Sequence, residues 1–183
     1  MSQPRQTLAL VAGLLAAALA SNATALELSS PDISDGATLN AAQVYSGFGC
    51  SGGNQSPELH WQDAPAGTQS FALTVYDPDA PTGSGWWHWT LYDIPASSNQ
   101  LPRGANAKTL PAGSQQGRND YGSQNFGGAC PPAGSPAHHY VFTLHALKVA
   151  HLEAPPGASA ALLGYLINSN RLASATLTPL YGR

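Results

Sequence analysis

Hydrophobic and polar positions alternate most clearly between Phe71 and Pro95. Phe71, Leu73 and Val75 alternate with Ala72, Thr74 and Tyr76, the period-two signature of a half-buried strand. Asp77-Pro78-Asp79-Ala80-Pro81 ends that run, because both prolines fix φ and bias the residue before them toward extended backbone. Thr82 to Gly85 turns the chain. Trp86 to Ile94, rich in aromatic and β-preferring residues, predicts the returning strand. The hairpin sets two carboxylates, Asp77 and Asp79, at the end of one strand and the His88 imidazole near the start of the next. Such a cluster is costly to bury without partners, which marks this end of the hairpin as a candidate site.

Shorter patterns flank the hairpin. Leu26 to Pro31 predicts a short edge strand, Ala41 to Phe48 another, and Leu59-His60-Trp61 the start of a third. The glycine-rich stretch Gly49 to Pro57 superficially resembles a phosphate-cradling loop, but it lacks the Lys and the following helix. Residues 96–137 lack periodicity. A stretch this long that carries Tyr121, Phe126 and Cys130 is expected to be ordered and packed. Its glycines between Asn119 and Pro132 suit close approach of backbone N–H groups to a ligand.

His138 to Lys148 predicts a strand with His138, Tyr140, Phe142 and Leu144 on one face and His139, Val141, Thr143 and His145 on the other. Pro155-Pro156-Gly157 breaks the chain. Ser159 is placed to cap a helix from Ala160 to about Leu172, with Leu162, Leu163, Leu166, Ile167 and Asn170 as its packing stripe. Ala175 to Tyr181 predicts the last strand. Trp61, Trp86, Trp87 and Trp89 are expected to fill the core or wall a pocket.

Composition narrows the class. The chain has 183 residues, 9% of them charged, with 19 Gly and 15 Pro. That length fits one domain, and few charges with many turn formers point to a mainly β fold with long ordered loops. Lys and Arg total only 7 at a net charge of −3 and form no cluster. Nucleic-acid binding and electrostatic attraction to an anionic membrane are therefore not expected. Arg5, the apolar run Leu8 to Ala20 and Ala23-Thr24-Ala25 read as a signal peptide over residues 1–25, with Ala18-Leu19-Ala20 as an alternative cleavage site. The apolar run is too short to span a bilayer, so no stable membrane insertion is expected after cleavage. The mature domain, 26–183, would be periplasmic or secreted. In that oxidising setting Cys50 and Cys130 are expected to pair. The loop they would close, about 80 residues, is worth on the order of 4 kcal/mol in the chain-entropy model.

Two motifs, Asp77-Pro78-Asp79-Ala80-Pro81 with Trp87-His88-Trp89, and Gly128-Ala129-Cys130-Pro131-Pro132 with His138-His139-Tyr140, together resemble the phosphatidylethanolamine-binding protein family. The resemblance is closest to its exported bacterial branch, the Raf-kinase-inhibitor-like proteins, and spans about residues 27–183. It implies antiparallel β-sheets packed in a sandwich-like manner, with a short helix in the C-terminal half and a small anion-accepting pocket at one end. By position, that pocket would be formed by Asp77, Asp79, His88, Pro132, His138 and Tyr140, with N–H donors around Gly128 to Cys130. Animal members carry a further C-terminal helix beside the pocket. This sequence ends on a strand pattern, so the family's pocket size and a bulky lipid ligand are not carried over to it.

With no Lys or Arg in either motif, the expected chemistry rests on histidine. A carboxylate beside an imidazole favours the imidazolium, and two such rings with loop N–H groups suit a phosphate or carboxylate. A phosphorylated ligand, such as a phospholipid headgroup, fits that polarity. Asp-x-Asp with two histidines offers metal-ligand types, but the prolines constrain the loop, so no metal or cofactor is assigned. Asp–His pairs also invite acid–base chemistry, yet no serine stands in a Gly-x-Ser-x-Gly elbow, so no enzyme is expected. An inhibitor of a protein partner, such as a protease or host protein, is the alternative reading, with Asn99 to Gln116 as the stretch to watch. A homodimer is compatible with either. His60, His145 and His151 match no motif, and His139 should point away from His138.

Overall fold

The computed structural model describes residues 25–183. The signal segment expected at residues 1–25 therefore lies, apart from Ala25, outside the described residues. The strongest alternating runs become the centre of the fold. Strand β5 (Ser70–Asp77) lies between β6 (Trp86–Pro95) and β10 (Val141–Leu147). With β8 (Gln115–Gln116) and β11 (Arg171–Leu177) they form an antiparallel sheet in the order β11-β10-β5-β6-β8. A second antiparallel sheet, β1-β4-β7, joins Glu27–Ser29, Leu59–Gln62 and Gln100–Leu101.

The two sheets share one core, which accounts for the alternation. Phe71, Leu73 and Val75 of β5, Trp89 and Leu91 of β6, and Phe142 and Leu144 of β10 pack with Leu59, Trp61 and Leu101 of the smaller sheet. Each fully buried side chain of this size contributes about 1.5–3 kcal/mol by burial. The other face of β5 carries Ala72, which packs with Tyr92, Leu147 and, from helix α1 (Ala160–Asn170), Leu163 and Ile167. The fold is thus mainly β, with antiparallel sheets in sandwich-like layers and one helix.

Ser159 caps α1, its side chain accepting from the Leu162 N–H. The helix stops at Asn170 rather than Leu172, because Arg171 turns extended and enters β11. The packing stripe is narrower than the spacing suggested: Leu163 and Ile167 are buried, whereas Leu162 is exposed.

Three predicted strands are interrupted. Ala41 to Phe48 is not one strand. Ala41–Gln43 forms a short 3-10 turn capped by the Asn40 side chain, and only Ser46–Gly47 (β2) pairs, with Cys50–Ser51 (β3). The strand predicted from His138 splits at Tyr140, whose N–H donates to the Pro179 carbonyl. Its first piece, β9 (His138–His139), pairs instead with β12 (Leu180–Tyr181). The last strand splits likewise around Thr178-Pro179, since proline has no N–H for a ladder.

Residues 96–137 are packed. Their N–H groups at Gly117, Asp120 and Gly127 donate to the carbonyls of Thr90, Trp87 and His88 on β6, and Phe126 enters the core. Cys50 and Cys130 form a disulfide, closing this segment onto β3.

Candidate functional site

The site forms where β5 ends and β6 begins. Asp77 pairs with Trp86 and Tyr76 with Trp87, but Val75 pairs with Trp89. His88 is therefore the extra residue of a bulge, a device that re-aims a side chain beside functional sites. The turn before it needs Gly85: its φ is +69°, and a Cβ there would lie 2.2 Å from the Tyr76 hydroxyl.

Asp77 organises the loop that follows. Its Oδ1 accepts from the N–H groups of Asp79 (2.8 Å) and Ala80 (3.1 Å), and its Oδ2 accepts from His138 Nδ1 at 2.7 Å. Both side chains of this Asp–His pair are buried. The His138 Nε2 stands 3.4 Å from the Ser135 hydroxyl, which itself donates to the Pro132 carbonyl at 2.8 Å.

A cavity of about 210 Å³ opens beside this pair, walled by Asp77, His88, Pro132, His138 and Tyr140. Five of the six residues expected at the pocket are thus brought together. Asp79 is not. Its carboxylate accepts from the backbone N–H and the Nδ1 of exposed His139, at 2.7 Å each, so it serves the outward partner that alternation placed on the opposite face. The His139 backbone bond, then its ring, holds the Asp79 carboxyl below the usual range.

Two expectations about charge and donors are corrected. Burial pushes the His88 imidazole down, outweighing its bond to Gly127 and the field of Asp77, so His88 is neutral rather than an imidazolium. Two of the three loop N–H groups are also taken. Gly128 donates to Asn54 Oδ1 at 2.7 Å and Ala129 to the Gln43 carbonyl at 3.1 Å. Gly128 is glycine for packing: a Cβ there would meet the Gln43 carbonyl oxygen at 2.3 Å.

Aromatic residues complete the wall. Trp86, Tyr121 and Phe48 line the cavity, and Tyr121 stacks on Tyr45 with ring centroids 4.0 Å apart. Burial raises the hydroxyls of Tyr121 and Tyr140 well above the tyrosine range, so both stay protonated. Tyr121 Oη donates to the Gly128 carbonyl at 2.9 Å. Three buried polar atoms of the wall residues, His88 Nε2, Tyr140 Oη and Trp86 Nε1, find no partner among the described residues. Phe48 was missed as a site residue because its stretch read as a strand. The Gly47-Phe48-Gly49 turn beside a paired cysteine was the available signal. Among the described residues, no three His, Cys, Asp or Glu side chains converge as a metal site would require.

An antiparallel sandwich with a small cavity at the hairpin end, lined by Asp, His and aromatic residues, defines the class. Residues 29–182 match the phosphatidylethanolamine-binding protein family, and the chain belongs to it. The UPF0098 protein YbcL of Escherichia coli is 52% identical over 162 residues, covering 87% of this chain and 88% of that protein. The crystal structure of E. coli YbcL, described as a member of the mammalian PEBP family, superposes with a TM-score of 0.85 at 50% identity, covering 87% and 99% of the two chains. Lipoprotein LppC of Mycobacterium tuberculosis is 41% identical over 134 residues, 73% of this chain and 61% of that protein.

Proposed function

We propose that this chain is an exported binding protein for a small ligand with a phosphate-type or other anionic headgroup, and that it binds without turnover. The observation that carries the reading is the set of orphaned wall atoms, His88 Nε2, Tyr140 Oη and Trp86 Nε1. Each buried polar atom without a partner costs about 1–3 kcal/mol, which a ligand of matching polarity recovers. Tyrosine and tryptophan donate to oxygen, and the cavity volume suits a headgroup rather than a whole lipid. Export is supported by the disulfide and by a relative described as a lipoprotein.

Asp77, His138 and Ser135 stand in the order of an acid–base–nucleophile set. The Ser135 hydroxyl donates to the Pro132 carbonyl at 2.8 Å and lies 3.4 Å from His138 Nε2, so catalysis is the reading that an ester-cleavage assay tests against binding. Titration of O-phosphoethanolamine into the disulfide-bonded protein at pH 6 is expected to show one-to-one binding. Tyr140→Phe, which removes only the hydroxyl, should weaken that binding about five- to tenfold, in line with about 1 kcal/mol for one hydrogen bond. No binding of the ester would sink the reading. Ser135-dependent release of p-nitrophenol from acetate or phosphate esters would replace binding with catalysis.

A further inference from the structure

The polar wall of the cavity has a fixed hydrogen-bond sense. His88 Nδ1 lies 2.8 Å from the Gly127 carbonyl oxygen. A carbonyl only accepts, so the ring proton sits on Nδ1, and Nε2 of the neutral ring carries a lone pair. That Nε2 is buried and finds no partner among the described residues. The charged and titratable groups facing the ring are Asp77 from β5, His138 from β9, Tyr140 after it, and Asp120 and Tyr121 from the segment beyond β8. The two carboxylates favour a proton on His88, but burial outweighs them. Among the described residues, none that lines the cavity is Lys or Arg. The carboxylate present, Asp77, already accepts three hydrogen bonds.

A fully deprotonated anion would therefore face a lone pair and a carboxylate. Resting on the anion-binding reading above, we propose that the ligand group is an oxyacid bearing its own proton, of the class of a phosphomonoester monoanion. Its O–H donates to His88 Nε2, and its remaining oxygens accept from Tyr140 Oη and Trp86 Nε1. No covalent bond changes. The bound pair carries one proton between the ligand oxygen and Nε2. A phosphodiester has no such proton, and a phosphomonoester dianion has lost it. Either must take one from solvent on binding.

The second ionisation of a phosphomonoester lies near pH 6. Proton uptake with a monoester should therefore rise from near zero at pH 5 to near one per ligand at pH 8. Its apparent affinity should fall about fiftyfold from pH 6 to pH 8, as the monoanion drops from about one half to about one hundredth of the ester. A diester should bind more weakly at pH 6 and take up about one proton throughout.

Calorimetry of O-phosphoethanolamine and glycerophosphoethanolamine, each in paired buffers of different ionisation enthalpy, counts these protons on the unmodified protein. Ring 15N spectra place the event. The free His88 should show the neutral Nδ1–H form, with the ligand-induced change at Nε2. Monoester binding at pH 8 without proton uptake would overturn the proposal, as would an equally tight diester at pH 6 or uptake located on His138. If neither ester binds between pH 5 and 8, the anion-binding reading itself falls. Vesicles containing phosphatidate, compared with the soluble ester, distinguish a lipid from a free metabolite as the source. Proton-linked binding of either supports the proposal.

Discussion

His138 donates from Nδ1 to Asp77 Oδ2 over 2.7 Å, joining two buried side chains 61 residues apart in sequence. This bond ties the end of β5 to β9 and sets one wall of the cavity. The same carboxylate folds the Asp77-to-Ala80 turn through its other oxygen. Asp77→Asn keeps an oxygen for the turn but presents an amide N–H to the His138 N–H. A charge-assisted hydrogen bond contributes about 1.5–3 kcal/mol, and Asp77→Asn should lower the unfolding free energy by that amount. Asp77→Ala, which leaves the His138, Asp79 and Ala80 N–H groups without their acceptor, should cost more than Asp77→Asn, about 1–3 kcal/mol for each donor left buried and unpaired. Urea denaturation at pH 7 measures both. An Asp77→Asn variant as stable as the parent would show that the His138 bond contributes nothing.

His145 gives the protein an acid-sensitive core. Its Nε2 contacts the Thr74 hydroxyl at 3.1 Å, and burial, with Arg171 nearby, holds its imidazole down to about 4. In the unfolded chain the ring titrates near 6.5, so below that pH the unfolded state binds more protons. The stability contributed by neutral His145 is complete above about pH 6.5 and is lost as pH falls toward 4, by about 3 kcal/mol at most. Buried neutral His88 acts in the same sense. Urea midpoints between pH 7.5 and 4.5 should fall less steeply in His145→Gln than in the parent. Parallel curves would locate the acid sensitivity elsewhere.

The hairpin was legible because Phe71 to Tyr76 alternates, Trp86 to Ile94 is rich in β-preferring residues, and the turn between them is built on Pro and Gly. The facing of His138 and His139 followed from the same period of two, and the helix from Ser159 and the leucine spacing. What escaped was set by partners distant in sequence. Tyr140 leaves its strand to bond Pro179, and Ala41–Gln43 coils where an alternating strand was expected. Gly128 and Ala129 spend their N–H groups on Asn54 and Gln43. The charge state of His88 escaped for the same reason. Spacing showed the carboxylate near it, but not the burial that decides its protonation, which depends on the packed fold; the rings of Tyr121 and Tyr140 lie 5.6 and 5.1 Å from it.

The disulfide has both a stability and a site role. It spans 80 residues, and Cys130 lies in the cavity wall. Cys50→Ser with Cys130→Ser should lower stability by about 4 kcal/mol in the chain-entropy model. Arg183 bonds the carbonyls of Pro131 and Gly49, bridging the same two segments, so the reduced protein should stay folded below its lowered transition. Thermal melts with and without reductant test this. An unchanged transition temperature would show that the bond adds no stability.

Two glycines in one turn make a controlled pair. Gly83 has φ +80° with nothing within 4 Å of a Cβ, whereas at Gly85 a Cβ would meet the Tyr76 hydroxyl at 2.2 Å and the Asp77 carbonyl at 2.7 Å. Gly83→Ala should cost only the left-handed backbone penalty, about 1–2 kcal/mol. Gly85→Ala adds overpacking against fixed backbone, about 1–3 kcal/mol more. Comparable losses in chemical denaturation would show that the turn rearranges freely.

Phe48 is 69% exposed, adopts φ +52° and still reaches the cavity, with its ring 5.6 Å from Tyr121. A bulky residue in the left-handed region costs about 1–2 kcal/mol, which so exposed a ring recovers only in part. Asparagine adopts that conformation more readily. Stability alone would therefore not select phenylalanine here, and contact with the non-acidic arm of a ligand would. Phe48→Asn should leave the melting temperature unchanged or slightly raised. It should weaken binding of phosphomonoesters with an aryl or acyl arm about three- to tenfold, as expected for about 1 kcal/mol of lost apolar contact. Inorganic phosphate, which has no such arm, should bind both proteins alike. If the variant melts several degrees lower and binds every ester unchanged, Phe48 belongs to the packing of the Tyr45–Tyr121 stack and not to recognition.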